Sequence, residues 1–558
     1  MSASKLQGSE VRIEHSLNKN EDVFISRRRN TVQQCLQKLG IHCSQDQVPN
    51  IALLGSGGGE RAMVGLLGSL VQLEKAGLLE LILYLSGVSG STWCMASLYK
   101  EPDWSTKLEA VKDKIIKRLS GPKVSWTDAL AKLKKYYKKK DLFSLTDFWA
   151  AMVVTTFVKE IDEHTLTEQW NQQSKDPLPI YTVIDKKSKQ KKEADPWFEF
   201  TPHEAGYSLI GAFLRVSNFG SQLENGSMIN EQPEIDMLYL QGLCGSALAD
   251  EEEIVKIIKF IWQHIKGFFK NLFPTINKIL EETGKDPDSP PADKFCQVLL
   301  DLVDMNLYVL DGKDPSAFDE SIRTTLKDLA EGKGQLIFPV GKLNLGDKEA
   351  AKLYMERYTM DVSNYLSFWF KIWPFNICLS IITCMAEWIW GRTYNFLHKM
   401  TDERVPAPLL ESETRDFEDA GLLLNSPYFS VLRKERNIEL IVSLDFSGGD
   451  PFMTVREAAK MCREKNIPFP EVIIPPGDLK DFYVFKGQNV PTVIHIPLFN
   501  VVNCGDKIEE WRSKYKTFTT CPYSAEMITD LMEVAGKNIT NNKAKVVEEI
   551  CEIIEKKA

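Results

Sequence analysis

Gly87-Val88-Ser89-Gly90-Ser91 sets a serine among glycines, directly after an apolar run. A serine on a tight turn between a strand and a helix has its hydroxyl pushed out at the top of a sheet, and neighbouring glycines let the chain turn without blocking an ester. That is the geometry of a nucleophile. Upstream, Gly55-Ser56-Gly57-Gly58-Gly59-Glu60-Arg61 exposes a run of backbone amides unobstructed by side chains where a helix begins. Such amides, helped by the helix dipole, can stabilise a negatively charged oxygen. A nucleotide site would need Lys and then Ser or Thr after the glycines, or a glycine or alanine three places beyond Gly57. Glu60 and Arg61 stand there instead. A plain turn is the other reading of the loop alone, and Ser89 on the following strand favours the catalytic one.

The elements that must position these residues are legible. Ile51-Ala52-Leu53-Leu54 and Leu81-Ile82-Leu83-Tyr84-Leu85 are continuous apolar runs, as expected of strands buried on both faces. Between them, Met63, Val64, Leu67, Leu70, Val71 and Leu73 mark one face of a helix over 61–76, with Gly77 placed to end it. Strand, helix, strand predicts a right-handed parallel βαβ unit. The glycine loop and Ser89 would then share the carboxyl edge of adjacent strands, where open α/β sheets place their active sites.

Taken together, Gly-Ser-Gly-Gly-Gly-x-Arg-Ala-Met and Gly-x-Ser-Gly-Ser-Thr-Trp resemble the catalytic core of the cytosolic phospholipase A2 family. The likeness continues through Phe143-Ser144-Leu145-Thr146-Asp147-Phe148-Trp149, Trp197-Phe198-Glu199-Phe200-Thr201-Pro202, Gly242-Leu243-Cys244-Gly245-Ser246-Ala247, Asp419-Ala420-Gly421 and Leu444-Asp445-Phe446-Ser447. It is nearest to the gamma type, because the core starts close to the N-terminus and leaves no room for a calcium-binding C2 domain. The resemblance implies an α/β fold of the patatin-like kind, a central mostly parallel sheet with helices and a helical cap or lid. It makes Ser89 the nucleophile and Asp419 its partner in a dyad without histidine. Gly58 and Gly59 would form the oxyanion hole and Arg61 would steady the substrate phosphate. Arg436, seventeen places after Asp419, falls where the family has a second functional arginine, whereas Arg433 reads as a solvated surface charge.

Read bottom-up, Asp419 is one carboxylate among many, set at a strand or helix junction, and it must come within hydrogen-bond reach of Ser89 to act as its base. A conventional triad would instead need one of the seven histidines. His203 and His495 are the best placed, and a structural role is expected for each. No histidine pair has zinc spacing, and neither metal nor cofactor is called for.

A length of 558 residues would allow several domains, but motifs from Asn50 to about Asn500 favour one large domain spanning 1–558, with cap insertions within 250–400. Eleven cysteines without paired spacing suggest reduced thiols, and the polar opening Met1 to Asn20 is no signal peptide. A cytoplasmic location follows, with the sequons at Asn225 and Asn538 unused. A net charge of −9 argues against nucleic acid. Two basic clusters, over 132–140 and 186–192, could meet anionic lipid. Two apolar stretches could be core or membrane-docking cap: a basic amphipathic helix from Glu253 to Pro274, and the segment Tyr365 to Trp390, too interrupted for a transmembrane helix. They flank a Pro- and Asp-rich linker, Gly284 to Asp293. The chain ends Glu555-Lys556-Lys557-Ala558, without a prenylation box, so reversible attachment to intracellular membranes is expected.

The reaction these residues imply is hydrolysis of acyl esters of glycerophospholipids and lysophospholipids, independent of calcium. One alternative passes the acyl group to a lysophospholipid through the same dyad. Another, from a different class, is an inactive lipid-binding module.

Overall fold

The computed structural model describes residues 10–246, 254–283, 292–330, 342–517 and 521–558. Fourteen strands are formed among them: β1 (Val11–Ile13), β2 (Ile51–Gly55), β3 (Tyr84–Gly87), β4 (Leu178–Asp185), β5 (Trp197–Phe200), β6 (Glu204–Tyr207), β7 (Ala212–Arg215), β8 (Gln222–Glu224), β9 (Ser227–Asn230), β10 (Arg392–Tyr394), β11 (Thr414–Asp419), β12 (Leu440–Asp445), β13 (Tyr483–Phe485) and β14 (Thr492–Pro497). Twelve make one sheet, ordered β1-β7-β6-β5-β4-β3-β2-β12-β14-β13, with β11 on β4 and β10 on β11. The strands β4, β3, β2, β12 and β14 are parallel. They are buried along their whole length, as their apolar runs require. Outside this centre every pairing of the sheet is antiparallel. The parallel character is thus concentrated at the site-bearing core of a mixed sheet.

The helices α1 (Lys19–Lys38), α2 (Gly59–Lys75) and α3 (Gly90–Tyr99) precede or follow the central strands. α2 ends as its sequence predicts, with Gly77 at φ 72°. The strand before Ser89 starts later than the apolar run suggests, because Leu79–Leu81 close a 3-10 turn before β3 begins at Tyr84. α2 lies against the C-terminal helix Ala525–Lys556 at a backbone-to-backbone crossing, where a Cβ on Gly68 would stand 2.6 Å from the Met532 carbonyl oxygen. Larger side chains would push these helices apart and shift the loop that α2 carries.

The chain forms two compact units. One comprises Met1–Lys135, Trp149–Leu248 and Gly391–Ala558 and carries the sheet; the other comprises Tyr136–Phe148 and Ala249–Trp390. Within its described residues the second unit is helical. The amphipathic helix runs from Ile254 to Thr283, passing through Pro274 rather than ending there. Its apolar side, including Ile257, Ile261, Ile265, Phe268, Phe269 and Leu272, is buried, and Phe268 meets Phe148 edge to face at 5.4 Å. The second apolar stretch divides between the helices Lys348–Trp369 and Phe375–Ala386, with Phe370 and Phe375 packed on Phe295. Both stretches therefore build this unit's own core, while Phe368 and Ile372 stay 68% and 64% exposed at the turn between them. Most of the linker, 284–291, lies outside the described residues. No helix among the described residues is long and apolar enough to cross a membrane.

Candidate active site

Ser89 occupies the turn between β3 and α3 with φ 51° and ψ −122°. A non-glycine residue rarely adopts this backbone, which costs about 1–3 kcal/mol and persists only where its surroundings impose it. They do so here: the Val88 amide is held by the Gly55 carbonyl, and the Ser89 carbonyl accepts the Thr92 amide. Gly90 must be glycine, because a Cβ there would lie 1.9 Å from the Gly59 carbonyl oxygen. The Ser89 turn and the glycine loop are thereby pressed together.

The loop itself is pinned at Ser56 and Gly57, whose amides donate to the Leu444 and Asn425 carbonyls. Gly58 and Gly59 then take φ 153° and 58°, values that favour glycine. Neither of their amides donates to another group among the described residues. Both stand at the N-terminus of α2, where the helix dipole adds to their partial positive charge.

Asp419 reaches the same edge by an unexpected route. β4 is long enough for two partners on one side: its first half pairs with β3, with Gly87 opposite Tyr181, and its second half pairs with β11, with Asp419 opposite Val183. β5 occupies the other side of β4 at the same level. The antiparallel β11 therefore ends where β3 ends, and aims Asp419 at the Ser89 turn.

The Asp419 amide donates to Ser246 Oγ at 3.1 Å, and its Oδ1 accepts the Gly421 amide at 2.8 Å. Burial pushes the Asp419 carboxyl up to about 7, opposed by the Gly421 amide and the Ser89 hydroxyl. Ser89 is thus close enough to favour the charged form, yet among the described residues Oδ2 accepts no hydrogen bond of ordinary length and angle. Catalytic hydrogen bonds of this kind often close fully only when substrate is bound. The arrangement offers a strained serine, a nearby carboxyl that burial pushes up to about 7, and two amides at a helix start that donate to no other group among the described residues.

The histidines lie elsewhere. His495, opposite Ser443 on β14, is three strands from β3, about 14 Å at ordinary strand spacing. It is buried and bonds to the Pro451 carbonyl. His203 sits in the turn from β5 to β6, toward the amino end of β4, with its ring edge-on to Trp170.

The three arginines are all buried and engaged within the fold. Arg61 is buried, and its guanidinium donates to the Phe446 and Tyr515 carbonyls and to Thr517 Oγ1, at 2.7, 2.6 and 3.0 Å. It braces backbone around the loop. Arg436 is not brought to the site. It is buried against the Tyr84 ring at the amino end of β3, paired with Glu21 at 2.9 Å and Glu199 at 2.7 Å. Arg433, expected on the surface, is buried too and pairs with Glu199 at 2.8 Å. Burial alone would raise Glu199, but the two arginines outweigh it and hold its carboxyl below the usual value. A guanidinium neutralised in this way has little charge to offer a phosphate. The Glu199 in the Trp-Phe-Glu-Phe motif could have suggested such a buried partner; Ser246, from the Gly-Ser-Ala motif, could likewise have been read as a support for Asp419. Asn425 carries no comparable signal.

The first basic cluster is also partly internal. Lys132 is buried between Glu163 and Asp236, and Lys135 pairs with Glu163. These lysines hold Glu163 down at about 2. In the second cluster Lys189 pairs with Glu418, beside Asp419.

Residues 51–285 match the family model described as "Lysophospholipase catalytic domain". The chain is 34% identical to mouse cytosolic phospholipase A2 gamma over 96% of its own length and 91% of that protein's. It is 33% identical to the human protein of the same name, over 98% and 96%. Among solved structures, human GIVD cytosolic phospholipase A2 superposes with a TM-score of 0.66 at 20% identity, covering 99% of this chain and 69% of the other. That likeness concerns the fold. The sequence relationship extends over nearly the whole chain, and on it the chain belongs, as an enzyme, to the cytosolic phospholipase A2 family.

Proposed function

We propose that the chain hydrolyses acyl esters of glycerophospholipids and lysophospholipids through Ser89 and Asp419. The convergence of β3 and β11 on one side of β4 carries this reading, because it brings a strained serine and a buried carboxyl to one point. Ser89 Oγ attacks the acyl carbonyl while Asp419 takes its proton. The Gly58 and Gly59 amides receive the negative charge that develops on the carbonyl oxygen. The bond to the glycerol oxygen then breaks, Asp419 returns the proton to that oxygen, and an acyl-serine remains. Water attacks it, Asp419 takes the water's proton and passes it to Ser89, and the fatty acid leaves. No step calls on calcium. Reversible attachment to lipid brings the enzyme to its substrate from the cytoplasm.

The test is turnover of phospholipid vesicles in chelator by the wild type and by Ser89→Ala. Release of fatty acid and covalent labelling by a fluorophosphonate should both disappear in the variant. Residual turnover close to wild type would overturn the assignment. Product analysis with added lysophospholipid separates hydrolysis from acyl transfer, since only the acceptor differs.

A further inference from the structure

Glu60 and Arg61 follow directly on the two glycines, in the first turn of α2, and both are buried. They reach the same stretch of chain. Glu60 Oε2 accepts the amide of Tyr523 at 2.9 Å, while Arg61 Nη1 and Nη2 donate to the Tyr515 carbonyl and Thr517 Oγ1. This stretch leans on the loop itself: a Cβ on Gly59 would lie 2.9 Å from the Thr517 carbonyl oxygen. On the other side a Cβ on Gly58 would lie 2.8 Å from the Phe446 carbonyl oxygen, which also accepts from Arg61 Nε. The two glycines are thus set between backbone walls; Arg61 fastens both, and Glu60 adds a second hold on the far one through Tyr523.

The far wall is braced in its own right. The rings of Tyr515 and Tyr523 meet edge to face at 5.2 Å, Tyr523 donates from its hydroxyl to the Lys516 carbonyl, and Tyr515 donates to the Met527 carbonyl of the C-terminal helix. What holds it to the loop at its Tyr523 end is the Glu60 carboxylate. A buried carboxyl is an expensive way to make one hydrogen bond, and among the described residues its other oxygen, Oε1, is buried without a partner. Burial pushes the group up to about 7. A side chain held at such cost beside two amides whose direction decides the rate has a reason beyond packing.

We propose that Glu60 is a positioning residue for the oxyanion amides: by holding the Tyr523 amide it fixes the Tyr515–Thr517 backbone against Gly59, and with Arg61 sets the direction of the Gly58 and Gly59 N–H groups. This rests on the reading of those amides as the oxyanion hole. A donor displaced by a fraction of an ångström loses most of its benefit in the transition state and little of the ground-state binding. The signature is therefore a fall in kcat at nearly constant KM.

The experiment uses the full chain, a small soluble ester and three substitutions. Glu60→Ala should lower kcat about tenfold or more with KM within about twofold, and slow fluorophosphonate labelling of Ser89 in parallel. Glu60→Gln, which keeps an acceptor for the Tyr523 amide, should recover most of that loss. Glu60→Asp, one methylene shorter, should fall between them and provides the reading if the alanine variant does not fold. Wild-type kcat in folded Glu60→Ala or Glu60→Asp would overturn the proposal, as would equal losses for Gln and Ala. Persisting turnover in Ser89→Ala would instead remove the catalytic reading beneath it.

Discussion

Asp419 stands opposite Val183, two residues farther along β4 than Tyr181, which pairs with Gly87 at the end of the nucleophile strand. The catalytic pairing we propose is therefore a property of sheet registry rather than of a flexible loop. A slip of one residue in either pairing would turn Asp419 or the Ser89 turn to the opposite face.

The buried carboxyl sets the pH dependence. A base must be ionised, so kcat/KM on a soluble ester should rise with pH through about 7, following Asp419. Asp419→Asn should reduce kcat by several orders of magnitude and remove that dependence. Folding stability moves the other way. Because the folded-state pKa is raised from 3.8 to about 7, the folded chain retains a proton in this window that the unfolded chain has released, and stability falls as pH rises through it. Asp419→Asn should escape this loss, so its melting temperature should gain on the wild type between pH 5 and pH 8. A constant difference across that range would contradict the assignment of the titration to Asp419.

Gly90→Ala tests the contact between the nucleophile turn and the glycine loop. Its Cβ would stand 1.9 Å from the Gly59 carbonyl oxygen, a backbone atom that cannot swing aside as a side-chain tip can. The loop must shift, and the amides with it. Loss of one oxyanion donor costs on the order of a hundredfold to a thousandfold in rate, so a folded Gly90→Ala enzyme with normal kcat would show that these amides are not used.

Much of this site is legible in the sequence, and for identifiable reasons. Continuous apolar runs mark buried parallel strands, and the glycines of both loops announce a backbone that side chains would obstruct. Asp419 is different. Its partnership depends on β11 joining β4 from the far end of the chain, a pairing with no local periodicity to reveal it. Only the family likeness pointed to it. Charge was the least legible property. Arg433 reads as a surface charge, Lys132 as part of a lipid-facing cluster and Arg436 as a site residue, yet each is buried among carboxylates distant in sequence.

Those buried arginines have a structural test. Arg436 joins α1, through Glu21, to β5, through Glu199. Removing it strands the Glu21 carboxylate in the interior and leaves Glu199 with one arginine instead of two, and breaking such a buried pair costs about 3–5 kcal/mol. Arg436→Ala should lower the urea midpoint by a corresponding amount, while the active-site-titrated, folded fraction retains near-normal kcat on a soluble ester. A selective loss on phospholipid, with stability untouched, would restore a phosphate-binding role.

Recruitment to lipid can be narrowed in the same way. Since Lys132 and Lys135 are engaged by Glu163, the basic cluster presents its exposed end, Lys138 and Lys139, to solvent. Tyr137, next to them, packs near Trp373, at 6.5 Å between rings, so these lysines neighbour the turn that exposes Phe368 and Ile372. Adjacent lysines and apolar side chains suit an anionic lipid surface, with roughly 1 kcal/mol from each basic residue. Vesicle binding should persist in chelator, strengthen with anionic lipid and weaken with salt. Lys138→Gln with Lys139→Gln should reduce binding to anionic vesicles and spare neutral ones. Phe368→Ser with Ile372→Ser should weaken both. Soluble-ester turnover should be unchanged in all cases. Binding that requires calcium, or that none of these substitutions moves, would place the lipid-contacting surface elsewhere on the enzyme.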